Sequence, residues 1–158
     1  MRGRSGDSLE GTDMSTSVTT VTSVDELRTF IGGELGTGAW LELTQDRVDA
    51  YAEETGEPAG DRSVAQPFLL LGMTNLLQRD RDGVRVAVPA RSNVNYGLNN
   101  VEFTSTVRVG TRLRARTKLV NVEQVRDDVV QVTYGITLEA EGHTHPVLRA
   151  DMLSRLYV

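Results

Sequence analysis

Residues 68–77 read Phe-Leu-Leu-Leu-Gly-Met-Thr-Asn-Leu-Leu, and this stretch decides the fold. Its apolar residues fall on every face of a helix, whereas an amphipathic surface helix keeps them on a single stripe. A helix of this composition is expected to be buried on all sides. Other parts of the chain must therefore surround it.

The surrounding layer is predicted by a change to strict alternation in the second half of the chain. Residues 112–119 alternate basic with mostly apolar side chains, and residues 130–138 and 148–156 place apolar side chains at most alternate positions. Such strands have one wet and one dry face, as in an antiparallel sheet. Polar turns are predicted at Asp127-Asp128 and Glu141-Gly142. The prediction is an α+β protein of the hot-dog architecture, in which a curved antiparallel sheet wraps a central apolar helix.

Two amphipathic helices are predicted ahead of the central one. Ser23 and Glu26 form a capping-box pattern at the start of the first helix. Thr44 is the predicted N-cap of the second helix, and Gly56 is its C-terminal stop. Glu57 comes directly after that stop, and a short link leads from it to the central helix.

Length and composition predict one folded domain. The chain has 158 residues, 39% of them hydrophobic, which suits one core and is too short for two ordinary domains. Residues 1–22 are rich in Gly, Ser, Thr and Asp, and they predict a flexible N-terminal tail because they have little apolar surface to bury. Residues 23–158 then form the single domain.

Charge and residue usage exclude several classes of function. The 22 acidic and 17 basic residues give a net charge of -5, which argues against nucleic acid as a partner. The absence of cysteine excludes disulfides and thiolate chemistry, and no apolar run is long enough to span a membrane. Fingerprints for dinucleotides, phosphate loops and serine hydrolases are also absent. We expect a soluble cytoplasmic protein without a metal or cofactor.

Four separated segments resemble a known family. They are residues 33–48, 52–56, 95–99 and 109–114, and in this order they resemble the MaoC-like (R)-specific enoyl-CoA hydratases and dehydratases. The resemblance covers nearly all of the chain from about residue 24 onward. It implies the hot-dog fold, a homodimer whose two sheets join, and an acyl thioester of coenzyme A or a carrier protein as substrate.

The residues that the resemblance implies for catalysis are altered in this chain. The family needs a carboxylate and an imidazole on one water, and a backbone N–H donor to the thioester oxygen. Glu57 stands where aspartate is typical, Arg62 where histidine is expected, and Gln66-Pro67 where His-Gly is typical. A guanidinium stays protonated near neutral pH, and proline has no N–H. The link after Glu57 is also shorter than in the family, so ordinary enoyl-CoA hydration is not the predicted reaction.

The remaining polar residues of these segments are the candidate site. The candidate catalytic residues are Glu57 and Asp61, as bases, and Tyr96, as a hydrogen-bond donor. The candidate substrate-binding residues are Arg62, Gln66, Asn95 and Asn99.

Structural roles compete with each of these assignments. Asp61 and Arg62 also fit solvated loop residues, and residues 95–99 fit a turn that directs the following strand. The basic row of residues 112–118 is typical of a binding site for a phosphate or an acidic carrier protein, but it is also typical of the solvent-exposed face of a sheet. His143 and His145 are expected in a polar surface turn.

Two hypotheses about function follow. The first is a biosynthetic enzyme that catalyses dehydration, isomerisation or cyclisation of an acyl-thioester or polyketide-like substrate. The second is a non-catalytic protein, either a ligand-binding relative of the hydratases or the inactive subunit of a heteromer. An enoyl-CoA hydratase with a rebuilt acid–base pair is a further alternative.

Overall fold

The computed structural model describes residues 18–57 and 60–158 of the chain. It contains eight strands and three helices within these residues. In chain order they are β1 (Thr19–Val21), α1 (Val24–Arg28), β2 (Glu34–Thr37), β3 (Leu41–Glu42), α2 (Gln45–Thr55), α3 (Pro67–Leu77), β4 (Val84–Val86), β5 (Ser92–Phe103), β6 (Arg112–Arg126), β7 (Val129–Ala140) and β8 (Leu148–Tyr157).

The main sheet is antiparallel and has the strand order β2-β6-β7-β8-β5, with β3 also paired to β6. The strands β6, β7 and β8 form the predicted meander, and Thr117 lies opposite Ile136 in its register. The two other strands, β1 and β4, pair in parallel. The 12-residue strand β5 lies at the end of this order, and β8 is its only neighbour among the residues that the structure describes.

The helix α3 packs against the inner face of the sheet, as the sequence predicts. Leu70, Met73 and Leu77 of the helix share one core cluster with sheet residues such as Leu113 and Leu138. A second cluster lies beyond it, where α1 and β1 pack on the sheet. The prediction of an α+β hot-dog architecture is confirmed.

One expectation about α3 is wrong for the single chain, because the helix is not buried on all sides. Its face toward the sheet is buried, but the Phe68 side chain is 60% exposed and Gly72 is also exposed. The ring of Phe68 meets Phe103 of β5 edge to face, with centroids 5.7 Å apart. The sheet therefore covers one side of α3 and leaves an apolar strip near its N-terminus open.

The folded domain begins earlier than the predicted boundary at residue 23. Thr19–Val21 forms β1, and Val21 is fully buried in the second core cluster. The sequence did not predict this strand because the segment has low hydrophobicity and only Val21 of β1 is buried. Residues 1–17 of the predicted tail lie outside the described residues.

The predicted helix ends are largely confirmed. The Glu26 N–H donates to Ser23 Oγ at 3.2 Å, and Glu26 Oε2 accepts from the Thr22 N–H at 3.0 Å. Thr44 precedes α2 but makes no side-chain cap bond. Gly56 ends α2 in the left-handed conformation, with φ of 66°. No helix among the described residues is long and apolar enough to cross a membrane.

Candidate functional site

Glu57 reaches the candidate site because α2 stops directly before it. Gly56 takes φ of 66° and ψ of 21°, a conformation that glycine adopts without steric cost, and this turns the chain out of the helix. The partly buried Glu57 then lines a cleft of about 310 Å³ together with Asp61, Arg62 and Gln66. We call this space the Glu57 cleft. Four of the seven candidate residues meet there.

The far wall of the Glu57 cleft is held by backbone hydrogen bonds to the chain ahead of β6. The Ala65 N–H donates to the Val107 carbonyl oxygen at 2.8 Å, and the Val109 N–H donates to the Ser63 carbonyl oxygen at 2.9 Å. An isolated bridge at Val64 lies between these bonds. Residues 63–65 of the link are therefore held against the segment that precedes β6.

The carboxylate of Asp61 already accepts hydrogen bonds from a neighbouring residue of the link. Its Oδ1 accepts hydrogen bonds from the backbone N–H of Ser63, at 2.9 Å, and from the Ser63 hydroxyl. The hydroxyl bond, followed by the backbone bond, lowers the pKa of Asp61 below its ordinary value. An exposed carboxylate with a lowered pKa is a weak base, so this geometry favours the loop-structural role that the sequence left open.

Arg62 interacts with α2 through both its side chain and its backbone. Its Nη1 lies 3.3 Å from Asp49 Oδ1, and its carbonyl oxygen accepts from Gln45 Nε2 at 2.8 Å. Gln45 Nε2 also donates to Asp49 Oδ1 at 3.1 Å. The guanidinium is thus partly neutralised, and it closes the cleft on the side of α2.

Gln66 carries a buried acceptor that lacks a hydrogen-bond partner among the described residues. It is the N-cap residue of α3, and its Nε2 donates to the Val48 carbonyl oxygen at 3.3 Å without capping the helix. Its Oε1 is buried and has no hydrogen-bond partner among the described residues. A buried acceptor without a partner is unfavourable by about 1–3 kcal/mol, which a ligand donor would offset.

The start of α3 supplies one free backbone donor. Pro67 in the first turn has no N–H, and the N–H groups of Leu69 and Leu70 both point to the Gln66 carbonyl oxygen, at 3.1 and 3.3 Å. The N–H of Phe68 has no acceptor among the hydrogen bonds of the described residues. It lies at the positive end of the helix dipole, next to Gln66.

The three candidates from residues 95–99 do not reach the Glu57 cleft. They lie within β5, an extended strand, and not in the turn that the sequence also allowed. Tyr96 lies at a bulge, 54% exposed, with the Arg155 guanidinium 3.3 Å from its ring centroid. Asn99 is paired with Asp151, on the sheet face opposite Met152 and α3. The bulge between Asn95 and Gly97 interrupts the alternation of side chains, so Tyr96, which stacks on Arg155, and Asn99 both lie on the outer surface.

Asn95 lies on the inner face, but in a different cavity. This second cavity measures about 790 Å³, lies near the C-terminal end of α3, and includes Arg81 and Tyr134. Sequence reasoning missed both of these residues as functional candidates. The available signal was the phenol of Tyr134, a polar group in the apolar row of β7.

The three arginines of the basic row on β6 are paired with acidic side chains. Arg114 Nε lies 2.6 Å from Glu139 Oε2, Arg116 Nη2 lies 3.2 Å from Glu139 Oε1, and Arg112 pairs with Glu141. Burial opposes ionisation of Glu139, but its bonds to the two arginines outweigh burial and lower its pKa. The row is thus the wet face of the sheet, with its charges balanced by the neighbouring strand.

Comparison with known proteins finds a curated relative that matches almost the whole chain. The chain is 33% identical over 153 residues to 3-hydroxyacyl-thioester dehydratase Z of Mycobacterium tuberculosis, and the match covers 86% of this chain and 97% of the relative. No protein-family model matches the chain.

Two solved structures share the fold. The monoamine oxidase regulatory protein from Archaeoglobus fulgius has a TM-score of 0.70 at 16% identity, over 87% of this chain and 95% of its own. The MaoC-like dehydratase from Rhodospirillum rubrum has a TM-score of 0.59 at 14% identity, over 77% of this chain and 89% of its own.

Proposed function

The chain belongs to the MaoC-like dehydratase family, and on that premise we propose that it is a biosynthetic enzyme acting on an acyl-thioester or polyketide-like substrate in the Glu57 cleft. The reaction is dehydration, isomerisation or cyclisation, in place of the ordinary hydration of an enoyl-CoA. All three reactions begin with loss of a proton beside the thioester carbonyl, which leaves an enolate.

One observation carries this proposal: the Glu57 cleft holds one carboxylate that is not engaged and one buried acceptor without a partner. Among the described residues, Glu57 makes no side-chain hydrogen bond, whereas Asp61 is bonded to Ser63 and Arg62 to Asp49. Gln66 Oε1 has no partner among the same residues. A base and a hydroxyl acceptor are therefore available in one cleft.

The proposed chemistry uses Glu57 as the only proton carrier. Its carboxylate removes the proton from the carbon next to the thioester carbonyl, and the Phe68 N–H stabilises the negative charge on the thioester oxygen. Gln66 Oε1 accepts a hydrogen bond from a substrate hydroxyl. For dehydration, the protonated Glu57 returns its proton to that hydroxyl as the carbon–oxygen bond breaks, and water leaves.

The same carboxylate serves the two other outcomes. In isomerisation the proton returns to a more distant carbon of the extended enolate. In cyclisation the enolate carbon attacks a second carbonyl of the same chain, and Glu57 protonates the alkoxide that forms. A single carboxylate without an imidazole partner suits a substrate whose proton is more acidic than that of a simple thioester. A carbon between two carbonyls, as in a polyketide, has that property.

We further propose that the protein is a homodimer joined through β5. This strand has 12 residues, its outer edge is unpaired within residues 18–57 and 60–158, and Val94 and Leu98 on it are 45% and 46% exposed. A long exposed edge strand with apolar side chains is a template for pairing with another chain. Joining two copies at this edge would also bring apolar surface toward the open strip on α3.

The dimer proposal predicts a mass of about twice 17.3 kDa in light scattering at micromolar concentration. Leu98→Lys is expected to shift the protein toward the monomer, because it places a charge on the pairing edge. Val120→Lys is the matched control, since Val120 is 39% exposed on β6, away from that edge. A monomeric wild-type protein, or equal effects of the two variants, would contradict the proposal.

The reaction itself is tested by offering purified protein two groups of thioesters and following products by mass spectrometry. One group is crotonyl-CoA and longer trans-2-enoyl-CoA, and the other is 3-hydroxyacyl and 3-oxo-5-hydroxyacyl thioesters. We expect turnover of the oxygenated thioesters and little hydration of the simple enoyl-CoA. Rapid enoyl-CoA hydration would show a rebuilt acid–base pair, and no turnover of either group would support the non-catalytic alternative.

A further inference from the structure

The second cavity, which we call the Arg81 cavity, lies on the inner face of the sheet near the C-terminal end of α3. It is bounded by the segment after α3, by β4, and by the inner faces of β5, β7 and β8. Its volume of about 790 Å³ falls within the roughly 300–1,000 Å³ that is usual for small-molecule sites. Of the described residues, none lines both this cavity and the Glu57 cleft, so its role is separate from the proposed reaction.

The charge of the Arg81 cavity is opposite to that of the protein. Its described lining includes Arg79, Arg81 and Arg85, together with the acidic residue Asp80. The whole chain carries a net charge of -5. A local surplus of positive charge on an acidic protein attracts an anion.

Arg81 is the anchored member of this group. Its Nε donates to the Val84 carbonyl oxygen at 3.2 Å, which leaves the rest of the guanidinium free to bind a ligand. It is partly buried, and no carboxylate of the described residues forms an ion pair with it. Burial lowers the pKa of Arg81, although the guanidinium stays charged. A partly buried cation without an anion is an unfavourable arrangement that a bound anion relieves.

Neutral polar groups surround Arg81. Burial raises the pKa of Tyr134, so its hydroxyl stays protonated and is available as a donor. The side chains of Asn75 and Asn95 also line the cavity. Hydroxyl and amide groups recognise oxygen atoms of a ligand, so this cavity does not suit a plain hydrocarbon chain.

We propose that the Arg81 cavity binds a small, oxygen-rich organic carboxylate, with its carboxylate on Arg81 and its other oxygens on Tyr134 and Asn95. A planar guanidinium matches a carboxylate with two parallel hydrogen bonds. A doubly charged phosphate fits less well, because the cavity lies at the C-terminal end of α3, where the helix dipole is negative.

The test follows the side-chain Nε–H signal of Arg81 by nitrogen-15 NMR, since this group is held by its bond to Val84. The probes are citrate, 4-hydroxybenzoate and inorganic phosphate, each titrated at constant ionic strength. We expect saturable shifts with a carboxylate at millimolar concentration. The proposal would be overturned if only phosphate produced a saturable shift, or if none of the three probes did.

Variants separate specific binding from charge screening. Arg81→Gln is expected to weaken binding, followed by calorimetry, at least about tenfold, since charged hydrogen bonds contribute most. Arg149→Gln removes the same charge from an exposed position outside the cavity and should bind as the wild type does. Equal weakening by both variants would refute a specific site.

A further pair of variants guards against misfolding and against confusion with the Glu57 cleft. Tyr134→Phe keeps the ring that packs in the core and should weaken binding several-fold, since only a hydroxyl is lost. If Arg81→Gln does not fold, Tyr134→Phe alone decides the outcome. Unchanged binding in Tyr134→Phe would then refute the site. Glu57→Gln should leave binding unchanged, so failure of the proposed reaction and failure of this cavity are distinguishable.

Discussion

Glu57→Gln is expected to lower kcat on the identified substrate at least about 100-fold, because a positioned general base contributes roughly 100- to 10,000-fold. The amide has nearly the shape of the carboxylate, so KM should change little. The loss then lies in the chemical step and not in binding. Steady-state kinetics of the purified variant, with its fold checked by circular dichroism, measures both parameters.

Asp61→Asn is the matched control for this experiment. Asp61 lines the same cleft, but its carboxylate already accepts two hydrogen bonds from Ser63, and its lowered pKa makes it a poor base. We expect kcat to remain within about threefold of wild type, because no transition-state contact is removed. A large loss in Asp61→Asn with an active Glu57→Gln would move the base to Asp61. Full activity in both variants would refute a carboxylate mechanism in this cleft.

The Glu57 cleft was predictable because its parts are close in sequence. A glycine stop after α2, a short link and a proline start for α3 bring Glu57, Arg62 and Gln66 together within ten residues. Local rules for helix ends are sufficient to place such residues. Which of them is engaged depends on partners such as Ser63, Asp49 and Val48, and the sequence did not assign those pairs.

The residues of β5 were harder to place. Their Asn and Gly content is typical of a turn. The strand β5 also lacks the apolar alternation seen in β7, because neither of its faces is well buried in the single chain. Asn95 lines the cavity on the inner face, whereas the bulge at Tyr96 places its ring over Arg155 on the outer face. One segment therefore contributes to two surfaces and not to one site.

The Arg81 cavity depends on contacts between distant parts of the chain. Arg81 follows α3, whereas Tyr134 and Asn95 belong to different strands, so only the sheet register brings them together. Local patterns carry no information about that register. The position of the Arg81 segment is instead set by its contact with β2, where Gly36 lies against Asp82.

Gly36→Ala is expected to reduce the free energy of unfolding by about 3 kcal/mol or more, because it combines a strained backbone with a steric overlap against another backbone segment. Gly36 has φ of +139°, and an added Cβ would lie 1.7 Å from the Asp82 carbonyl oxygen. Neither side can easily move, since the Thr37 N–H donates to Asp82 Oδ1 at 2.6 Å and the Asp82 N–H donates to the Thr37 carbonyl oxygen at 3.1 Å. Urea unfolding followed by circular dichroism measures the change.

Gly142→Ala is the control that distinguishes the destabilisation caused by steric overlap from that caused by the positive-φ backbone conformation. Gly142 has φ of +82°, but nothing lies within 4 Å of an added Cβ, so only the conformational cost of about 1–2 kcal/mol applies. If the two variants lose equal stability, the contact between Gly36 and Asp82 is not as close as described. Because Asp82 adjoins Arg81, Gly36→Ala should also weaken carboxylate binding in the Arg81 cavity where the variant remains folded. Gly142→Ala, in the turn between β7 and β8, should leave that binding intact.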